Sequence, residues 1–180
     1  TGTNMNMTFI SGRDYLLKEE GDHVGEAALN LAKGLLMGAR GNSGVILSQI
    51  FRGFSQAIKE EKHLDAKTFV AAFAGGVESA YKAVMKPVEG TILTVAREAA
   101  IAGEKQLKES SDIIEIMRAI VDGATLALES TPDLLPVLKQ VGVVDSGGKG
   151  LLCIYEGFLA NLTGEKVISK NKACLLYTSD

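Results

Sequence analysis

Along most of this chain apolar residues recur every three or four positions, and a few small polar residues break the pattern at intervals. Val24, Ala27, Ala28, Leu31 and Leu35 keep that spacing, as do Ile46, Leu47, Ile50, Phe51, Phe54 and Ile58, and then Phe69, Phe73, Val77, Tyr81 and Val84. Such spacing lays one apolar stripe along a helix and does not fit the two-residue period of a strand. It predicts helices over about 3–18, 22–39 and 41–58, a fourth capped by Asp65 and stopped before Pro87, and a fifth opening at Glu89-Gly90-Thr91 and running to about 108. Asp112 reads as the cap of a sixth helix, with Glu115 at the capping-box position and Ile116, Met117, Ile120, Val121, Ala124 and Leu128 inside. Thr131-Pro132 reads as the start of a short helix to about 141, and Asp145-Ser146-Gly147-Gly148 as the start of a last long one to about 162. No stretch longer than 142–145 reads as a strand, and no repeat is present. The expected fold class is all-α, an up-and-down helical bundle with short loops.

Several function classes drop out on charge and composition. With 22 acidic against 19 basic residues the net charge is -3, so there is no electrostatic case for nucleic acid. No apolar run approaches the roughly 20 residues of a membrane span, and no signal peptide is visible. Two cysteines, Cys153 and Cys174, make neither a disulfide framework nor a metal site, so a cytoplasmic location is expected. The length of 180 residues suits one domain with its own core. We assign it to 1–167. The tail 168–180 lacks a helical stripe, and its end resembles a forward translation of a common transposase sequencing adapter. It reads either as such an artefact or as a disordered linker, and receives no function.

The helix starts carry the chemistry. Consecutive helices of an up-and-down bundle start at alternate ends. The starts at one end, Asp22, Asp65 and Asp112, show plain capping residues. The other end collects Thr1-Gly2-Thr3-Asn4, Gly41-Asn42-Ser43-Gly44, Glu89-Gly90-Thr91 and Asp145-Ser146-Gly147-Gly148, with the short helix near Leu134 taken as an excursion. The first four N–H groups of a helix lack intrahelical partners and carry the positive end of its dipole. Glycine lets an anion reach that backbone, while Ser, Thr and Asn add donors. Four such starts at one end therefore suit a phosphate cradle, whereas each alone suits a simple cap or turn. Arg40 and Lys149 lie beside these starts and are either phosphate contacts or solvated charges. His23 and His63 fall at the opposite end and read as surface residues, and Cys153 as a small core residue. The Walker A and dinucleotide glycine spacings are both absent.

Four segments carry a family resemblance. They are Thr1-Gly2-Thr3-Asn4-Met5, the run 34–49 containing Gly38-Ala39-Arg40-Gly41-Asn42-Ser43-Gly44, Lys86-Pro87-Val88-Glu89-Gly90-Thr91-Ile92-Leu93, and Val143-Val144-Asp145-Ser146-Gly147-Gly148-Lys149-Gly150. Together they resemble the nucleotide-binding L-type domain of the dihydroxyacetone kinase superfamily, and more closely the N-terminal domain of the bacterial fatty acid kinase catalytic subunit, over about 1–167. The resemblance implies an eight-helix up-and-down barrel with ATP phosphates and Mg2+ at one end. Seven long helices are counted here, so the first helix of that barrel is expected to be missing before Thr1. Carried over by position, Thr1, Gly2, Thr3 and Asn4 approach the phosphates, and Asn42, Ser43 and Gly44 form a second phosphate loop. Thr91 lies near the nucleotide, and Asp145, Ser146 and Gly147 close over it, with the short Leu134 helix as part of a lid.

One departure matters. The family's magnesium ligands are aspartates immediately upstream of the Thr-Gly-Thr-Asn segment, and none is present here. No metal ligand is therefore assigned, and this chain alone is expected to be inactive although the complete protein is expected to be an ATP-dependent kinase. The closer resemblance implies phosphorylation of a fatty acid to an acyl phosphate, the fatty acid being presented by a separate fatty-acid-binding carrier protein. A homodimer through domains absent here is compatible with it. Two alternatives remain, a dihydroxyacetone (glycerone) kinase-type subunit and a non-catalytic nucleotide-binding regulatory module. No catalytic residue is assigned, because a carboxylate acceptor is already ionised at neutral pH.

Overall fold

The computed structural model describes residues 1–19 and 21–165, and the tail 168–180 lies outside them. Among the described residues there are eight helices and no strand: α1 (Gly2–Lys18), α2 (Val24–Met37), α3 (Gly41–Ala57), α4 (Ala66–Ala83), α5 (Ile92–Leu107), α6 (Ile113–Leu134), α7 (Pro136–Val141) and α8 (Ser146–Thr163). The all-α expectation is met. The chain divides at Met85 and Lys86 into two compact units, α1–α4 and α5–α8.

The first unit is built on a run of phenyl rings. Phe9 of α1 meets Phe51 of α3 (5.7 Å between centroids), Phe51 meets Phe54 (5.8 Å), Phe54 meets Phe73 of α4 edge-on (5.3 Å), and Phe73 meets Phe69 (5.2 Å). Tilted and edge-to-face pairs at these separations add to the burial of their area. Leu35, Leu47, Ile50 and Ile58 fill the space around them and are essentially inaccessible to water. Glycine sets how closely the helices approach. A Cβ on Gly34 would fall 2.7 Å from the Gly12 Cα, and one on Gly76 2.7 Å from the Ile50 carbonyl oxygen. Gly53 lies against the Gly75 carbonyl, so α3 and α4 touch backbone to backbone. The start of α2 lies at the end of α3, where the Val24 and Gly25 N–H groups donate to the carbonyls of Lys62 (3.2 Å) and Glu61 (2.9 Å).

In the second unit α5, α6 and α8 pack on one another. Val95, Ala96 and Ala99 of α5, Ile116, Met117, Ile120 and Ala124 of α6 and Leu151 of α8 are almost wholly buried. Helix α7 buries nothing completely, and Val137 and Val141 are 56% and 69% exposed.

Three local details differ from the sequence expectation. The cap of α2 is His23 rather than Asp22: His23 Nδ1 accepts the Glu26 N–H (3.4 Å), while the Asp22 N–H donates to Glu26 Oε2 (3.1 Å). Asp112 does cap α6, through the Ile114 N–H (2.8 Å), but its own N–H goes to Ser110 Oγ (3.0 Å) rather than to Glu115. Most telling, α6 does not give way to a short helix at Thr131-Pro132; it runs through Pro132 to Leu134, and α7 starts only at Pro136. Pro132 has no N–H for the Leu128 carbonyl, and the Thr131 hydroxyl donates to that oxygen instead (2.7 Å). Cys153 is half-buried rather than a core residue.

The glycine contacts make a direct prediction. Gly53→Ala forces α3 off α4 and is expected to lower the unfolding free energy by about 1–3 kcal/mol. Gly157, on α8, has nothing within 4 Å of an added Cβ, so Gly157→Ala is expected to raise stability by about 0.5–1 kcal/mol. Urea titrations of the two variants check both signs.

Candidate functional site

The four small-residue helix starts form two pairs, each within one unit: α1 with α3, and α5 with α8. In the first pair, Ser43 Oγ donates to the Thr1 carbonyl (3.4 Å). Gly41 opens α3 with φ +67, in the left-handed region, and an added Cβ there would lie 2.5 Å from Asn4 Nδ2, so glycine is needed twice over. An added Cβ on Gly44 would collide with Thr8 Oγ1 at 2.5 Å. Thr1, Thr3 and Asn42 are exposed, Gly2, Asn4 and Ser43 half-buried and Gly44 buried.

What separates this pair from the other long helices is its caps. The side chains of His23, Asp65, Thr91, Asp112 and Asp145 cap α2, α4, α5, α6 and α8. The caps of α1 and α3 are Thr1 and Arg40, and neither makes a side-chain capping bond. Two adjacent helix N-termini are thus left uncapped by side chains, with exposed Arg40 at one of them. That arrangement suits an anion with several oxygens, such as a phosphate chain.

The second pair is arranged differently. Asp145 Oδ2 accepts the Gly148 N–H (2.8 Å) and so caps α8. Desolvation pushes the Asp145 pKa above the ordinary aspartate value of 3.8, against the opposing pull of nearby backbone N–H groups, the Gly148 one first. Thr91 caps α5 through the Leu93 N–H (3.3 Å) and donates its hydroxyl hydrogen to the Val88 carbonyl (2.7 Å). The preceding turn is fixed by Glu89, which pairs with Arg97, and by Gly90 at φ +85, where a Cβ would fall 2.8 Å from Leu135 Cβ. Ser146 is exposed, while Gly147 is buried and Lys149 half-buried.

Among the described residues no three His, Cys, Asp or Glu side chains come together as a ligand set. His23 is a helix cap rather than a merely solvated residue. A groove of about 630 Å³ runs along α3 and α4 past Arg52, Gln56, Glu78, Ser79 and Lys82, and includes none of the predicted site residues. Its Lys82–Glu78 pair (2.8 Å) is solvent-exposed and contributes little. Among the described residues no helix is long and apolar enough to cross a membrane.

Sequence reasoning missed three threonines. Thr8, Thr94 and Thr131 are 0%, 1% and 0% exposed, and each bonds a helix start. The available signal was a Thr standing at an apolar position of a helix, as Thr8 does between buried Met5 and Gly12.

The carboxylate at the second pair makes a prediction with a sign. A raised aspartate pKa means that the fold favours the protonated side chain. Its contribution to stability is therefore present at low pH and is lost as pH rises through the raised value. Asp145→Asn keeps a capping oxygen without the charge and should be at least as stable at pH 7, its advantage shrinking as pH falls toward 4. Asp145→Ala removes the cap and should cost about 1–2 kcal/mol. Thermal melts of both variants from pH 4 to 8 check the order.

Comparison with known proteins agrees with the helical architecture. Residues 1–160 match the family described as DAK2 domain. An uncharacterized protein of Staphylococcus epidermidis is 57% identical over 167 residues, covering 93% of this chain and 30% of the relative. Another, from a bovine strain of Staphylococcus aureus, is 58% identical over 170 residues, covering 94% of this chain and 31% of its own length. The chain thus spans about three tenths of these curated relatives. It belongs to the DAK2 domain family, helical modules of kinase-related proteins.

Proposed function

We propose that this chain is the nucleotide-binding domain of an ATP-dependent kinase that phosphorylates a fatty acid to an acyl phosphate, the fatty acid being presented by a separate carrier protein. The observation that carries the nucleotide part is the uncapped pair of helix starts, α1 and α3, held side by side within one unit. Backbone N–H groups of Gly2, Asn4, Asn42 and Ser43, with the Thr1 hydroxyl, surround the phosphates, and Arg40 adds charge. Thr3 and Gly44 complete those two segments. Thr91, Asp145, Ser146 and Gly147 are the remaining nucleotide-binding residues of this reading. The acyl acceptor rests on the Lys86-Pro87-Val88-Glu89-Gly90-Thr91 and Val143-Val144-Asp145-Ser146-Gly147-Gly148-Lys149-Gly150 segments, which resemble the fatty acid kinase subgroup.

In the reaction an ionised carboxylate oxygen attacks the γ-phosphorus, the bond from that phosphorus to the β-phosphate oxygen breaks, and ADP leaves with the electron pair. No general base is required, since no proton is lost from the acceptor. The work of this chain is positioning and stabilising negative charge. Mg2+ bound with the nucleotide would supply further charge neutralisation.

ATP turnover by the full-length protein tests the reading. Acyl-loaded carrier is expected to stimulate turnover and to yield an acyl phosphate that hydroxylamine traps, while dihydroxyacetone has no effect. Stimulation by dihydroxyacetone would replace this substrate with a triose. Nucleotide binding without turnover on either acceptor would assign the chain to a regulatory module.

A further inference from the structure

Five polar side chains are buried in the described residues: Thr8, Ser48, Ser55, Thr94 and Thr131. The two serines bond only within their own helix, Ser48 to the Val45 carbonyl (2.9 Å) and Ser55 to the Arg52 carbonyl (2.8 Å). The three threonines do something else. Thr8 Oγ1 donates to the Asn4 carbonyl (2.7 Å) and accepts the backbone N–H of Arg40, the cap of α3 (3.1 Å). Thr131 Oγ1 donates to the Leu128 carbonyl (2.7 Å) and accepts the N–H of Asp145, the cap of α8 (3.1 Å). Thr94 Oγ1 donates to Glu89 Oε1 (3.1 Å) and accepts the N–H of Gly90, next to the cap of α5 (2.9 Å).

We infer that Thr8, Thr94 and Thr131 are positioning residues that fix the α3, α5 and α8 starts for phosphate binding, an inference that rests on the nucleotide reading above. In each case the hydroxyl hydrogen is committed to one oxygen, so the lone pairs face a single backbone N–H at the helix start. A buried N–H with one available acceptor holds its peptide plane in place, and the neighbouring first-turn N–H groups keep their direction with it. None of the three hydroxyls needs to touch the ligand. The arrangement recurs in both units, from three different helices and at sequence separations of 32, 4 and 14 residues, so one local motif does not account for it.

The test uses Thr→Val and Thr→Ser at positions 8, 94 and 131 of the full-length protein, with Ser55→Ala as the control. Hydrogen exchange is read at the α3, α5 and α8 starts, and Mg-ATP affinity by calorimetry. Each valine variant is expected to exchange faster at its own helix start and to bind Mg-ATP about ten-fold more weakly. Each serine variant, which keeps the hydroxyl, should stay near the parent in both readouts, as should Ser55→Ala. Should a valine variant lose fold as well, its serine counterpart decides: parental affinity with reduced stability supports positioning through the hydroxyl. Tight binding by folded valine variants would overturn the assignment of the threonines. A parent protein that binds no Mg-ATP would overturn the nucleotide reading instead, whatever the exchange data show.

Discussion

Backbone touching backbone is the contact on which this molecule depends. Helices normally sit 8–10 Å apart because side chains separate them, but Gly53 against Gly75, Gly76 against Ile50 and Gly34 against Gly12 remove that spacer. The chain contains 20 glycines, each costly inside a helix relative to alanine. Close approach returns dispersion contacts along whole helix faces, which isolated helices of this length would lack. The phenyl run from Phe9 to Phe69 then fills the wider spaces that glycine leaves elsewhere.

Fixing helices this tightly also fixes where their ends fall, and the ends are where unsatisfied polar groups collect. The chain treats those groups in three ways. The starts of α2, α4 and α6 have their own local caps. The α5 start is capped by a threonine and the α8 start by a desolvated carboxylate. The α1 and α3 starts have none. A gradient from closed to open donors within one fold distinguishes ordinary helix ends from ends suited to an anion, and position along the sequence alone does not show it.

Apolar periodicity made most of the helices legible before any coordinates, because a stripe of residues such as Ile46, Ile50 and Phe54 has one geometric reading. Glycine-rich starts were legible for the same kind of reason, since small residues have few other uses there. Sequence reading went wrong where a side chain overrode a local rule. Pro132 reads as a helix start, yet the Thr131 hydroxyl lets α6 continue through it. His23 took the capping role expected of Asp22 by accepting through its ring nitrogen. The links from Thr8 to Arg40 and from Thr131 to Asp145 join different helices and exist only once the chain is packed. No cap score on the residues themselves separates the α1 start from an ordinary turn; the difference appears only against the caps of the other helices.

Pro132 carries a consequence of its own. A threonine hydroxyl on a helix usually has a choice: it can rotate, donate in one direction or another, and exchange roles with its neighbours. The missing N–H at Pro132 leaves the Leu128 oxygen in need of a donor, and this need orients the Thr131 hydrogen toward it. The proline thereby sets the polarity of a bond that it does not itself make. An imino acid at the end of one helix decides which way a proton points, and through it where the next long helix begins.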